Sequence, residues 1–215
     1  MEVTHTEYLI SSPDVGKCPR PTLPEIAFIG RSNVGKSSLI NMLSNKKELA
    51  KVSSSPGKTQ MINHFLINKN MFWVDLPGYG FAKVAQTKRH AWTKMVWEYF
   101  EKRDNLQTLF VLIDSRHTPQ QLDIDFVNKL GQKAVPFTIV FTKADKESQK
   151  VVSDHVSRFK QALLKTWDEL PPIFVTSAEK RWARKEVLAY IEELRKNYVP
   201  AEVLKQELSE PPVNL

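Results

Sequence analysis

A chain of 215 residues, 41% of them hydrophobic, is long enough to bury a core as one domain without a disulfide or metal staple. Cys18 is its only cysteine, which excludes an internal disulfide. There is no apolar run of ~18 residues for a membrane helix and no leader pattern at Met1–His5, so the expectation is a soluble cytoplasmic monomer with no membrane partner. The net charge of +7 and pI near 9.4 favour a polyanionic partner.

In chain order, residues 1–22 read as an irregular, proline-rich extension with a candidate edge strand at Glu7–Ile10. Residues 23–199 read as the main domain. Ile26–Ile29 is an uncharged apolar run, as a buried strand requires, and Ser38–Leu43 has helical spacing. Between them lies Gly30-Arg31-Ser32-Asn33-Val34-Gly35-Lys36-Ser37, which is G-x-x-x-x-G-K-S, the phosphate loop of nucleotide hydrolases. Gly30 and Gly35 are expected to free the backbone so that successive N–H groups converge on phosphate oxygens. Lys36 brings a compact positive charge to the β- and γ-phosphates, Ser37 offers a hydroxyl to Mg²⁺, and the helix N-terminus, with Ser38, favours the same anion.

The polar stretch from Lys46 to Thr59 contains Ser55-Pro56-Gly57-Lys58-Thr59, a loop signal. Thr59 there can bind Mg²⁺ and a γ-phosphate oxygen together, with Gly57 and Lys58 beside the nucleotide. Two strands follow, His64–Ile67 and Phe72–Asp75, in hairpin fashion around Asn68-Lys69-Asn70. Asp75-Leu76-Pro77-Gly78 reads D-x-x-G: the aspartate can hold Mg²⁺ through a water, and the Gly78 N–H can sense the γ-phosphate. Five of the seven glycines (Gly30, Gly35, Gly57, Gly78, Gly80) fall in these phosphate-facing segments.

A helix from about Lys88 to Lys102 carries a core-facing stripe of Trp92, Val96, Tyr99 and Phe100. Strands at Thr108–Ile113, Phe137–Phe141 and Ile173–Val175 then alternate with helices near 120–132, 149–167 and 183–197. Residues 200–215 read as a short helix fraying into disorder. Thr142-Lys143-Ala144-Asp145 ends the fifth main strand and reads [NT]-K-x-D. The Asp145 carboxylate can accept from both N1–H and the N2 amine of guanine, a pair of donors that adenine lacks. The mismatch costs about 1.5–3 kcal/mol, so adenine is disfavoured. The stem of Lys143 would cover the base, and Thr176-Ser177-Ala178 can offer a backbone N–H to the guanine oxygen.

This alternation predicts a three-layer α/β fold with a six-stranded, mostly parallel sheet. The expected order is 2-3-1-4-5-6 with strand two antiparallel, helices on both faces, and the nucleotide across the C-terminal strand ends. The five motifs in this order are those of guanine-nucleotide-binding P-loop domains. Together with Asp75-Leu76-Pro77-Gly78-Tyr79-Gly80-Phe81-Ala82-Lys83-Val84, Glu101-Lys102-Arg103, Asp114-Ser115-Arg116-His117 and Leu122-Asp123, the chain resembles the bacterial EngB (YsxC/YihA) family over about Leu23 to Tyr198. The tail and Ala178 differ from many members. The resemblance implies a Mg²⁺-dependent GTPase acting in assembly of the large ribosomal subunit, whose members are often linked to division septum formation.

Tyr79 stands where many signalling GTPases place a water-orienting glutamine, which implies slow intrinsic hydrolysis. Asn33 matches the residue that helps potassium-activated relatives hold K⁺. Lys36, Thr59 and Gly78 are the expected catalytic residues. His64, His117 and His155 lack ligand spacing, and Asp114, Arg116 and Asp123 read as a local polar network. Lys83, Lys88, Arg89, Lys94, Arg181, Arg184 and Lys185 are candidates for an RNA-facing surface or for solvated helix faces. Two rival readings are a nucleotide-gated RNA or protein chaperone and an adenine-nucleotide kinase; Thr142–Asp145 argues against the second.

Overall fold

The computed structural model describes residues 1–50, 61–80, 86–200 and 203. Seven strands, β1 (Thr6–Ser12), β2 (Glu25–Gly30), β3 (Ile62–Ile67), β4 (Met71–Asp75), β5 (Leu106–Asp114), β6 (Phe137–Thr142) and β7 (Ile173–Val175), form one sheet of order β1-β3-β4-β2-β5-β6-β7. β4, β2, β5, β6 and β7 are mutually parallel, while β3 is antiparallel to both its neighbours. The helices are α1 (Lys36–Ser44), α2 (Gln86–Lys102), α3 (Gln121–Gln132), α4 (Gln149–Leu163) and α5 (Arg184–Lys196).

The six strands from β2 onward keep the expected order and the antiparallel second strand, but the sheet has seven strands rather than six. The addition is β1, longer than the Glu7–Ile10 expected and paired along its length with β3. Its side chains, Ser12 apart, are exposed or half-exposed, so hydrophobic periodicity is faint there. What holds it is backbone pairing and Asn68, in the β3–β4 turn. The Asn68 Oδ1 accepts from the amides of Thr4 (2.9 Å) and His5 (3.0 Å), and its Nδ2 donates to Glu2 O (2.7 Å).

β2 and β4 are buried along their whole length, as strands covered on both faces must be. Ile26 and Phe28 pack with α1 and α5 through Leu39, Leu43, Val187 and Ile191. Ala27 and Ile29 face the opposite way, toward α2, α3 and α4 through Val96, Tyr99, Val127, Leu130 and Phe159. The expected stripe on α2 packs on this second face, with Val96 and Tyr99 buried and Trp92 and Phe100 at its margin.

α4 stops at Leu163, a turn short of the expected Trp167. The amides of Thr166 and Trp167 both turn back to Leu163 O, and the Trp167 indole N–H donates to Asn128 Oδ1 (2.7 Å). At the other end of β2 a buried charge is neutralised. Arg103 donates from Nε (3.1 Å) and Nη2 (2.5 Å) to the Glu25 carboxylate, the Tyr99 O–H donates to it as well, and His64 Nε2 lies 3.4 Å away.

Candidate functional site

The C-terminal ends of β2, β4, β5, β6 and β7 converge on the loop after Gly30, because parallel strands put all these ends on one edge. Within that loop Asn33 (φ 61°) and Gly35 (φ 107°) take left-handed backbone conformations, and Gly35 caps α1. Gly30 does not; its requirement is room. A Cβ there would lie 2.8 Å from Val34 Cγ1 and 2.9 Å from Leu112 O. The expectation that both glycines serve backbone freedom therefore holds for Gly35 and is corrected to close packing for Gly30.

Lys36 opens α1, and its ammonium is ion-paired with Asp75 at the end of β4. Both side chains are largely shielded from solvent, at 12% and 6% exposure, so a cation site and an anion site adjoin at the mouth of the loop. Ser37 is in the next position of the helix. Backbone bonds tie the D-x-x-G segment and the residue after it to β2 and the start of the phosphate loop: Leu76 N donates to Phe28 O (3.0 Å) and Tyr79 N to Gly30 O (3.2 Å). A Cβ on Gly78 would fall 2.5 Å from Gly30 O, so no side chain fits between the two segments. Pro77 O accepts from the Trp92 indole (3.3 Å), which holds α2 to the same segment. Gly57, Lys58 and Thr59 lie outside the described residues.

β6 and the loops after it form the end of the site expected to take the base. The Thr142 hydroxyl donates to Val34 O (2.6 Å), and Lys143 Nζ donates to Asn33 O (2.5 Å) and to Asp114 Oδ2 (2.9 Å). Lys143 is therefore stretched over the phosphate loop, with its stem available to cover a flat ring. Arg116 holds Asp114 from the other side through Nε (2.9 Å) and Nη2 (2.7 Å). Burial pushes the Asp114 carboxyl up, but the hydrogen bonds from Arg116 and Lys143 outweigh it and bring the pKa to about 2.

A cavity of about 190 Å³ lies beside α1, lined by Gly35, Ser38, Thr142, Lys143, Asp145 and Ala178 among others. In it Asp145 Oδ1 accepts from the Ser177 hydroxyl (2.5 Å), and Lys146 Nζ stands 3.2 Å from Oδ2. Burial opposes the charged form of Asp145, yet these hydrogen bonds leave its pKa lowered. Ala144 N donates to Thr176 O (3.1 Å), which locks the two base-side loops together. A role for the Ser177 side chain was not readable from the sequence, where the segment pointed only to a backbone N–H. A serine at that spacing signals nothing until Asp145 is folded against it.

Asp114, Arg116 and Asp123, expected as one polar network, divide into two. Asp123 belongs with Tyr79, whose O–H donates to its Oδ1 (2.8 Å), and with the Arg31 guanidinium 3.9 Å away. Burial leads the rise in the pKa of Asp123 and likewise lifts the Tyr79 phenol well above its usual range. Tyr79 is 3% exposed and stacked on Phe126 at 4.2 Å. Ser32 and Asn33 are exposed at the loop's outer rim.

Residues 25–143 match the family model described as 50S ribosome-binding GTPase. The chain is 52% identical over 198 residues to the probable GTP-binding protein EngB of Flavobacterium psychrophilum, covering 92% of this chain and 97% of that one. The chain belongs to the EngB family. The counterpart from Porphyromonas gingivalis (strain W83) is 51% identical over 194 residues, covering 90% and 96% of the two chains. As an EngB protein the chain is a P-loop GTPase that binds guanine nucleotide.

Solved structures show the same fold. A probable GTP-binding protein engB superimposes with a TM-score of 0.64 at 22% identity, over 81% of this chain and 100% of that one. Era, in complex with MgGDPNP and nucleotides 1506–1542 of 16S ribosomal RNA, superimposes with a TM-score of 0.64 at 23% identity, over 83% and 58%.

Of the basic residues expected to share a surface, the four whose side chains are described fall on two faces. Lys94 is exposed on α2, on one face of the sheet, whereas Arg181, Arg184 and Lys185 lie at the start of α5 on the other. Arg184 is committed to structure, donating to Met42 O (2.9 Å) and Leu43 O (3.0 Å) at the C-terminus of α1. Lys83 and the side chains of Lys88 and Arg89 lie outside the described residues.

Proposed function

We propose that this EngB protein hydrolyses GTP to GDP and phosphate slowly on its own. In this reading it is a GTP-dependent factor in assembly of the large ribosomal subunit, in the cytoplasm, as a monomer, with a link to cell division. The observation that carries the nucleotide reading is the junction of the two ends of the site. Thr142 and Lys143 bond directly to the carbonyls of Val34 and Asn33, so base recognition and phosphate binding share one frame. Gly30 to Ser38 bind the phosphates, and Asp145, Lys143, Ala144, Thr176, Ser177 and Ala178 bind guanine.

Lys36 and the Gly78 amide stabilise charge on the transferring phosphoryl group. Ser37, Thr59 and, through water, Asp75 are the residues for magnesium. The fit is supported by the shielded Asp75 carboxylate at the loop mouth, a hard oxygen donor whose charge Lys36 already balances. The ion supplies electrostatic stabilisation of the β- and γ-phosphate oxygens when bound. Asn33, left-handed and exposed at the rim, is the residue proposed for K⁺.

Support for the ribosomal reading comes from the description of the matching family model and from the charge of +7. Co-sedimentation with large-subunit particles in GDP and in a non-hydrolysable GTP analogue, repeated across salt, tests it. Binding only with the triphosphate, weakening as salt rises, is expected; equal absence of binding in both would overturn it. One observation favours a second reading, a nucleotide-gated chaperone with incidental hydrolysis: Tyr79 is locked against Phe126 and Asp123, away from any water-orienting role. A sharp rise in turnover on adding particles separates the timer from the chaperone.

A further inference from the structure

Among the described residues the only exposed aromatic rings are Tyr8 and Trp182, the latter 45% exposed. Trp182 sits in the turn between the base-recognition segment and α5, flanked by Arg181 (φ 56°) and Ala183 (φ 58°). Two L-residues in left-handed conformation on either side of one side chain persist only where the surroundings fix them. Here the fixing contacts are Trp182 N to Ser177 O (3.0 Å) and Lys180 N to Ser177 Oγ (3.0 Å). The strain buys no burial of the indole.

The surroundings of that ring are basic. Arg181 Nη2 donates to Asn45 Oδ1 (3.0 Å), which brings the turn against the end of α1, where Lys46 and Lys47 are exposed. Lys180 and Lys185 are exposed on either side of Trp182. None of these five cations forms an ion pair among the described residues. The carboxylates near this turn include Glu2, which acts on Arg184, and Glu48, Glu179 and Glu186, of which Glu179 is already paired with Lys146. A flat, sequence-tolerant stacking platform ringed by cations is the arrangement that holds unpaired nucleic-acid strands.

We propose that Trp182, with Lys46, Lys47, Lys180, Arg181 and Lys185, forms a docking surface for single-stranded RNA, on which one base stacks on the indole. Its biological target rests on the ribosomal reading above. The surface is continuous with the guanine site through Ser177, whose hydroxyl serves Asp145 while its carbonyl accepts from Trp182.

The test uses the full chain loaded with GDP and a fluorescein-labelled unstructured 12-nucleotide RNA. Trp182→Ala is expected to weaken binding about 5- to 100-fold, with Trp182→Phe retaining most of it. Lys180→Ala with Lys185→Ala should flatten the slope of log affinity against log salt by about 1.4. Unchanged GDP affinity and thermal midpoint establish that each variant is folded. Equal oligonucleotide binding by wild type and Trp182→Ala overturns the proposal, as does loss of particle binding in Trp182→Ala with no loss on RNA, which would assign the turn to a protein partner. If wild type binds the oligonucleotide through Trp182 but fails to sediment with particles, the surface stands and the ribosomal reading falls.

Discussion

The hydroxyl of Ser177 donates to Oδ1 of Asp145 across 2.5 Å, so one of the two carboxylate oxygens expected to read guanine is oriented before any base arrives. A fixed carboxylate discriminates better than a mobile one, because its desolvation and rotamer entropy are settled in folding.

Asp145→Asn should lower GTP affinity by about ten- to several-hundred-fold and improve binding of xanthosine triphosphate, whose oxygen matches the new amide. Ser177→Ala, which removes only the positioning bond, should cost about 5- to 10-fold in GDP affinity with the guanine preference retained. Fluorescent-nucleotide titration reads both. An unchanged base preference in Asp145→Asn would place guanine recognition elsewhere.

Tyr79→Gln restores the residue type found at this place in many signalling GTPases, yet no gain in GTP turnover is expected. The side chain at this position points into the core, where it stacks on Phe126 and bonds Asp123. The expected result is a loss of about 3–5 kcal/mol in urea unfolding, as for other truncated buried aromatics. Faster hydrolysis in this variant would mean that the segment reorients in the reacting complex.

Turnover measured in KCl and in NaCl at equal ionic strength should differ, K⁺ being faster. Asn33→Ala should remove the difference, with GDP affinity measured in parallel to separate loss of the cation from the cost of placing alanine at a left-handed φ of 61°. Identical rates in the two salts would end the role assigned to Asn33.

The Glu25 cluster predicts acid behaviour. Burial raises the Glu25 pKa, but His64 and Arg103 outweigh burial and bring it to about 2, below the usual 4.5. A lowered folded pKa means stability that is full above 4.5 and lost as pH falls toward 2. Glu25→Gln should flatten that acid limb in thermal unfolding. At neutral pH it should cost about 3–5 kcal/mol, because Arg103 is left buried without its partner.

Much of this molecule was legible in its residues. The phosphate loop, the D-x-x-G segment and the [NT]-K-x-D segment announce themselves because each needs particular residue types at fixed spacing next to a buried strand. The order of the six strands from β2 to β7 follows from alternating apolar strands and amphipathic helices. The rest depends on contacts between distant parts of the chain. The full length of β1 is hidden in the sequence, because an edge strand half in solvent leaves only a faint pattern. The reason for Gly30 is hidden in the sequence, because crowding by Leu112 becomes visible only when β5 lies alongside. The direction of Tyr79 was hidden because its partners, Asp123 and Phe126, come from α3, far along the chain.

The bonds from Thr142 and Lys143 to the carbonyls of Val34 and Asn33 have a consequence for how such a protein tells its two nucleotides apart. On the proposed site they brace the parts of the pocket that would meet the guanine and the first phosphates, which GDP and GTP have in common. That half of the pocket would act as a vice, gripping either molecule alike. Discrimination between spent and unspent nucleotide is left to the rim where the third phosphate would arrive, beside Gly78 and the Lys36–Asp75 pair.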